Sequence, residues 1–221
     1  MTPTTTPAQA LAQPPGTLFI LTAEGAELDL MHPNFGALTA AAMAHSLAQL
    51  NRFTGHCYRP YSVAEHSLLV VEICERELGM NPSTLAGANG LLAALLHDAH
   101  ECVTGDLHTP GKRMVGPGWR EWEGFWERHV RRAYALNTAA WQHAQHIKQA
   151  DLTALATERR DLLPASPTPW AALANTPAVG WVNLRSAERE DMSWRDWQAA
   201  FLDKLHELDY ARNELAVAAM E

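Results

Sequence analysis

The sequence predicts an all-α fold with a short β-hairpin near its N-terminal end. Apolar residues recur at helical spacing over five long segments, which are 35–50, 62–78, 91–104, 119–136 and 138–163. Two short segments on either side of Gly25, 17–22 and 26–30, have the pattern of paired strands. Because the strands are short and the helical segments fill most of the chain, helices define the fold class.

Local signals set the ends of the predicted helices. Ser62-Val63-Ala64-Glu65 has the pattern of a capping box, in which serine and glutamate satisfy each other's backbone donors. Glycine and proline predict a loop over 79–90 and an irregular segment over 110–118. Ser193-Trp194-Arg195-Asp196 begins the last helix, and one face of it is predicted to enter the core through Trp194, Trp197, Phe201, Leu205 and Leu208.

Length and composition indicate one domain. The chain has 221 residues, of which 47% are hydrophobic and 19% charged, and this suffices for one hydrophobic core. Residues 1–15 are rich in Thr, Pro, Ala and Gln and are predicted to form a disordered leader, so that the domain spans 16–221. A net charge of -8 argues against a nucleic-acid polymer as partner, because phosphates select basic surfaces. A single nucleotide remains compatible where basic groups converge or a metal ion supplies positive charge.

Cysteine spacing and hydropathy bear on the cellular compartment. Cys57, Cys74 and Cys102 are an odd number without a CxxC pair, which argues against a disulfide framework and a thiolate zinc site. No apolar run approaches the roughly 18 residues that cross a bilayer, and no Lys or Arg precedes Arg52, as a signal or transit peptide would require. We therefore expect a cytoplasmic protein without a membrane partner.

A histidine and an aspartate, His97 and Asp98, directly follow the apolar run 91–96. A charge there is costly to bury without compensation, and a divalent cation accepts both nitrogen and oxygen ligands. The two side chains would lie about 100° apart around one helix, so that one ion could touch both. His66, in the first turn of its helix, and Asp151, isolated between apolar neighbours, complete a predicted site for one divalent ion. The four ligands suit Mn, Co, Mg or Fe and tolerate Zn.

Four separate blocks of the chain resemble the H…HD…D pattern of the HD-domain phosphohydrolases. These blocks are Tyr61–Ser67, Leu95–Glu101, Thr104–Leu107 and Lys148–Asp151. Within that family the likeness is greatest to bacterial 5'-deoxynucleotidases and to phage-type dATP triphosphohydrolases, and Asn51–His56 resembles the RFxGH loop of the phage-type branch. The likeness covers roughly residues 45–163.

The resemblance implies an all-helical HD bundle in which the same four residues bind one metal ion. It also implies that Glu101 orients or deprotonates the attacking water and that Asp106 acts at the reacting phosphate. Arg52 would hold the substrate phosphate, and Lys112 would add a second cation. Similar enzymes form dimers or higher assemblies, so a homo-oligomer is expected.

The chain departs from the family pattern at several positions. Phe53 stands where the deoxynucleotidases have Trp beside the sugar, which makes selectivity for deoxyribose less secure. For His56, in the same loop, substrate contact and a purely structural role both remain open. His100 and His108 stand where relatives have Ala and Pro, and we interpret them as tolerated residues at the rim of the site.

The predicted activity is hydrolysis at the α-phosphate of a dNTP or a dNMP through a metal-activated water. The metal ligands cannot distinguish the two substrates, because the chemistry at the α-phosphorus is the same. The resemblance to the phage-type loop slightly favours triphosphates. Hydrolysis of (p)ppGpp is disfavoured, because that class carries HDxxED and here Cys102 replaces the final acid. The alternative is an HD-like scaffold with a structural metal and a regulatory or binding role.

Overall fold

A computed structural model describes residues 18–34 and 36–220 of the chain. The predicted leader over 1–15 lies outside the described residues, and so does Phe35, the predicted start of the first helix. The described part contains ten α-helices and one two-stranded antiparallel sheet. The predicted all-α class with a short hairpin is therefore confirmed.

The described elements follow one another along the chain in the following order. They are β1 Phe19–Leu21, β2 Glu27–Asp29, α1 Ala40–Gln49, α2 Val63–Arg76, α3 Leu85–Leu95, α4 Glu101–Thr104, α5 Thr109–Val115, α6 Pro117–Ala133, α7 Asn137–Gln142, α8 Ala144–Leu162, α9 Ala187–Asp191 and α10 Trp194–Ala218. Short 3₁₀ turns at Arg52–Gly55 and Ala171–Leu173 interrupt the connections.

Helix α3 lies at the centre of the main hydrophobic core. Leu91, Leu92 and Leu95 have no exposed surface, and α2, α7 and α10 pack around the helix that carries them. The predicted core residues of α10 are confirmed at Trp197, Phe201, Leu205 and Leu208. Trp194 is half-buried instead, and its ring meets that of His45 edge-on at 5.0 Å.

The hairpin forms a second, smaller core with α6. Ile20 pairs with Leu28 across the two strands, and Gly25 turns between them with a φ of 79°. Leu28 packs with Ala37 and with Trp126 of α6. The hairpin therefore supports α6 from the side opposite to the cavity described below.

Removing the Trp126 side chain should destabilise this second core. Trp126 is 1% exposed, so we expect Trp126→Ala to lower the free energy of unfolding by about 3–5 kcal/mol. Trp141 is 79% exposed, and Trp141→Ala should change the same quantity by no more than about 0.5 kcal/mol. Urea unfolding of the two variants measures the difference, and equal midpoints would contradict the packing described here.

The predicted loop over 79–90 is wrong in its second half, because α3 already begins at Leu85. The two glycines that suggested a loop lie inside the helix at points of close approach. A Cβ atom at Gly87 would lie 2.0 Å from the backbone oxygen of Asn81, and one at Gly90 would lie 2.9 Å from the ring of His143. These glycines permit packing and do not break the helix.

The predicted helix over 91–104 is broken in the middle. Helix α3 ends at Leu95, and residues 96–100 form tight turns before α4. The amide of Ala99 donates a hydrogen bond to the carbonyl of Leu96 at 3.2 Å, and the ring Nδ1 of His97 donates one to the carbonyl of Ala94 at 2.8 Å. His97 and Asp98 therefore lie on a turn, and the predicted separation of 100° around one helix is wrong.

Two further element predictions need correction. The segment 138–163 is divided at His143 into α7 and α8. The segment 110–118, predicted as irregular, contains most of α5. His108 caps that helix, because its Nδ1 accepts a hydrogen bond from the amide of Gly111 at 3.0 Å, so its role is structural.

The predicted capping box at the start of α2 is half right. The hydroxyl of Ser62 accepts from the amide of Glu65 at 3.1 Å, as predicted. The Glu65 carboxylate does not return to Ser62, because it is taken by two arginines. Arg59 donates to it at 2.6 and 2.8 Å, and Arg189 donates at 2.8 Å.

Within the part of the chain that the structure describes, no helix combines the length and the apolar character needed to cross a membrane. The three cysteines are free thiols.

Candidate active site

The four predicted metal ligands come together in space from three elements. His66 lies in the first turn of α2, His97 and Asp98 lie on the turn after α3, and Asp151 lies on α8. Nε2 of His66 is 3.6 Å from Oδ2 of Asp98 and 3.5 Å from Oδ1 of Asp151. Nε2 of His97 is 3.2 Å from Oδ2 of Asp98. Ligands about 2.1 Å from one ion lie roughly 3.0–3.5 Å from one another, so these separations suit a shared ion.

The hydrogen bonds of the two imidazoles leave the right nitrogen available. Nδ1 of His97 must donate, because its partner is the carbonyl of Ala94, and Nδ1 of His66 lies 2.5 Å from a carboxylate oxygen of Glu158. The two Nε2 atoms are buried and have no hydrogen-bond partner among the described residues. A ligand histidine needs this arrangement, with one nitrogen fixed by a hydrogen bond and the other free for the ion. Among the described residues, the ligand atoms of His66, His97 and Asp98 thus lie close enough together to hold one metal ion, and Asp151 adjoins this cluster through Nε2 of His66.

The electrostatics of the cluster favour a positive charge at its centre. Burial alone would raise the pKa of Asp98, but His97, His66 and Arg52 hold it well below its usual range. The pKa of Asp151 is also lowered, against the effect of burial, mainly by His66. Burial and Arg52 disfavour the protonated form of His66, yet Glu158 and Asp151 raise its pKa to about 9. In the metal-free protein a proton on His66 thus provides part of the charge that the carboxylates attract.

Glu101 and Asp106, the predicted catalytic carboxylates, lie beside the cluster. Burial raises the pKa of Glu101 to about 10, with the charges of Asp98 and Asp106 acting in the same direction. Burial also raises the pKa of Asp106, although Arg52 opposes it. Oε2 of Glu101 is buried without a hydrogen-bond partner among the described residues. Asp106 follows Gly105, whose φ of 80° turns the chain back after α4.

Arg52, the predicted phosphate ligand, is buried behind the cluster. Its Nη1 lies 3.6 Å from Oδ2 of Asp98, and its Nη2 lies 3.3 Å from Oε2 of Glu158. Arg52 is not among the residues that line the adjoining cavity. The guanidinium thus adjoins Asp98, a candidate metal ligand, and is already engaged by two carboxylates.

Lys112, the second predicted cation, lines the cavity and is tethered within it. Its ammonium lies 2.5 Å from Oε1 of Glu123 and 3.9 Å from Oε1 of Glu101. His100 joins this group, with its Nε2 3.7 Å from the same Glu123 oxygen. His100 is only 5% exposed, so its interpretation as a rim residue is wrong.

Phe53 and His56 lie farther from the cavity wall. Phe53 has a φ of 55°, is half-buried against the core, and lies with its ring centroid 5.5 Å from the Arg52 guanidinium carbon. His56 is exposed. Neither residue lines the cavity beside the cluster, and their contact with a substrate stays a prediction.

The cavity beside the cluster has a volume of about 370 Å³. His97, Asp98 and Asp151 form part of one wall, and Arg120, Glu123, Gly124, Glu127 and Arg131 of α6 form another. The charged residues of α6 recur there at a helical spacing, so one face of this helix is turned toward the cluster. The face that carries Trp126 is covered by the hairpin.

Sequence reasoning missed Glu158 and Glu123. Glu158 stands in the charged run Thr157-Glu158-Arg159-Arg160, which has the composition of a solvated helix face, although the side chain is fully buried. The available signal was its spacing, because Glu158 follows Asp151 by two helical turns on the same helix. Glu123 approaches Lys112 and His100 only through the packing of α6, and no local pattern records that contact.

The comparisons with known proteins place this chain beside proteins without an assigned activity. The fold and the site define a class of protein: helical, with a His/Asp cluster that could hold a metal ion. No family model matches the chain. YfdR, an uncharacterized protein of Escherichia coli, is 32% identical over 142 residues, which cover 64% of this chain and 71% of YfdR.

The chain therefore belongs to the same family as YfdR. An uncharacterized protein of Rhodobacter capsulatus is 44% identical over 99 residues. That match covers 44% of this chain and 48% of the relative, about half of its length. Neither name states an activity, so the function has to be argued from the site.

Proposed function

We propose that this chain is an HD-type, metal-dependent phosphohydrolase that acts on nucleotides. One observation carries the proposal. The free Nε2 atoms of His66 and His97 meet the carboxylates of Asp98 and Asp151 at the wall of a cavity that also contains Lys and Arg side chains. Two imidazole nitrogens and two carboxylates suit Mn, Co, Fe or Zn, and Mg less well because it prefers oxygen ligands. When bound, such an ion neutralises phosphate charge and lowers the pKa of a bound water.

The side chains around the cluster can supply the remaining chemistry. Glu101 is buried next to Asp98, and as a carboxylate it can accept a proton from an attacking water. Arg52 and Lys112 favour that ionised form but leave the pKa of Glu101 at about 10, so the charge of a bound divalent ion would have to supply the rest of the stabilisation near neutral pH. Lys112 also faces the cavity, where its ammonium can approach a non-bridging phosphate oxygen.

The charge of the cavity supports a nucleoside monophosphate as substrate. The lining contains four basic and four acidic side chains, so their formal charges cancel. The basic residues are Lys112, Arg120, Arg131 and Lys148, and the acidic ones are Asp98, Glu123, Glu127 and Asp151. One divalent ion would then leave a net positive charge close to that which a phosphomonoester of about −2 neutralises. A triphosphate carries more negative charge than this lining can neutralise. The charge balance therefore argues against the preference for triphosphates that the resemblance of the 51–56 loop to the phage-type branch suggests.

A panel of substrates and metals tests the proposal. The metal-free protein would be refilled with Mn, Co, Zn or Mg and offered dNMPs, NMPs and dNTPs, with inorganic phosphate and tripolyphosphate measured separately. We expect metal-dependent release of inorganic phosphate from monophosphates. Tripolyphosphate from dNTPs would keep the reaction class and change the substrate. Metal binding without turnover of any nucleotide would overturn the proposal and favour the alternative, an HD-like scaffold with a structural metal.

A further inference from the structure

We infer that Glu158 is a positioning residue that links the candidate metal centre to the buried side chain of Arg52. Its carboxylate orients the imidazole of His66 through one oxygen and holds the guanidinium of Arg52 through the other. This inference rests on the metal site of the proposed function and is independent of the substrate.

The contacts of Glu158 are divided between its two oxygens. Oε1 lies 2.5 Å from Nδ1 of His66 and accepts a hydrogen bond from the hydroxyl of Tyr61 at 3.0 Å. Oε2 accepts from Nη2 of Arg52 at 3.3 Å. Glu158 and His66 have no exposed surface. A buried carboxylate surrounded by three donors in this way is well satisfied and has little freedom to move.

The first consequence concerns the tautomer of His66. A carboxylate at Nδ1 requires that nitrogen to keep a proton, so Nε2, which faces Asp98 and Asp151, is the nitrogen that an ion would bind. Partners of this kind fix the ring orientation of a ligand histidine and raise its basicity, and their loss typically weakens metal binding by about 10–100-fold. Helix α8 thus contributes both a candidate ligand, Asp151, and the support of another ligand, two turns further on.

The second consequence concerns Arg52. The same guanidinium lies between Glu158 and Asp98, at 3.3 and 3.6 Å. Without Glu158, Arg52 would keep Asp106 and Asp98 as its anionic neighbours, and at 3.6 Å from Asp98 it would compete more strongly with an ion for that carboxylate. Both consequences act in the same direction, so removing Glu158 should weaken the metal site at two of its ligands.

Glu158→Gln compared with Glu65→Gln tests the inference. Glu65 is an equally buried glutamate that directly precedes His66 on α2, but among the described residues its carboxylate binds Arg59 and Arg189 and makes no hydrogen bond to a candidate metal ligand. Titration of the metal-free proteins with Mn or Co should give about 10–100-fold weaker binding for Glu158→Gln and unchanged binding for Glu65→Gln. Thermal unfolding of both metal-free variants measures the general effect of losing a buried carboxylate, which affects both.

A second measurement uses the wild-type protein, so it tests the inference even if the Glu158→Gln variant does not fold. In the zinc-loaded wild-type protein, long-range ¹H–¹⁵N NMR of the imidazoles should detect His66 with its proton on Nδ1 and the metal on Nε2. Zinc on Nδ1, or wild-type metal affinity in folded Glu158→Gln, would overturn the inference and leave the metal site standing. If the wild-type chain binds no divalent ion, the inference and the proposed function both fail.

Discussion

Asp98→Ala is expected to abolish metal retention while the chain stays folded. One oxygen of Asp98, Oδ2, lies 3.2 Å from Nε2 of His97 and 3.6 Å from Nε2 of His66, so it joins the two halves of the cluster. Removing it takes away a ligand and the negative charge that offsets Arg52. The loss should exceed the roughly 100-fold that removal of a supporting partner causes. Metal content after gel filtration, measured by elemental analysis, reports the effect.

An exposed aspartate provides the control for this variant. Asp203 lies on the outer face of α10, and Asp203→Ala should retain metal in the wild-type ratio. Circular dichroism of both variants should match the wild type, because Asp98 stands on a turn and does not contribute to the hydrophobic core. Stoichiometric metal in purified Asp98→Ala would show that the ion, if any, is held elsewhere.

The four candidate ligands could be picked out from the sequence because the chemistry that suggests them is local. His97-Asp98 after an apolar run is a costly pair to bury without a cation, and the serine cap fixes His66 in a first helical turn. The predicted local geometry of His97 and Asp98 is wrong, since the two neighbours lie on a turn and not on one helix. In that turn Nδ1 of His97 donates a hydrogen bond to the carbonyl of Ala94, and helical periodicity in the sequence does not predict such a bond.

The surroundings of the ligands could not be predicted for a different reason. Glu158, Glu123 and Arg52 acquire their partners through contacts between elements distant in the chain. A glutamate in a charged run resembles a surface residue until the helix that carries it is packed. Gly87 and Gly90 suggested a loop for the same reason, because the close approaches that require glycine arise only on packing. Sequence patterns within one segment can predict candidate ligands and helix ends, but they cannot predict which face of a helix another helix will cover.

Glu101→Gln should retain the metal and lose turnover. Glutamine has nearly the shape of glutamate but cannot accept a proton from water, and loss of a general base typically lowers kcat by about 10²–10⁴-fold. Glu101 is 3% exposed and lies 3.9 Å from the Lys112 ammonium through Oε1. Glu123→Gln is the matched control from the same cavity. It releases Lys112 from its shorter ion pair and should alter KM more than kcat.

The stability of the metal-free protein offers an independent check on the environment of Glu101. Burial raises its pKa from 4.5 to about 10, so folding favours the protonated form. The contribution of this group to stability is therefore present at low pH and is lost as the pH rises from about 4.5 toward 10. Glutamine does not titrate, so Glu101→Gln should gain stability relative to the wild type as the pH rises through that window. Denaturant midpoints of the two metal-free proteins at pH 5 and pH 8 measure the effect.

Two outcomes would contradict the role of Glu101 separately. Full activity in Glu101→Gln would exclude it as the base and leave Asp106, the half-buried carboxylate near Arg52, as the candidate. A stability difference that does not change with pH would mean that Glu101 is not held in the apolar, anionic surroundings described above. Loss of activity together with retained metal and the expected pH dependence would identify a buried carboxyl that is protonated in the metal-free protein and that the charge of a bound ion, added to those of Arg52 and Lys112, would ionise for use as a base.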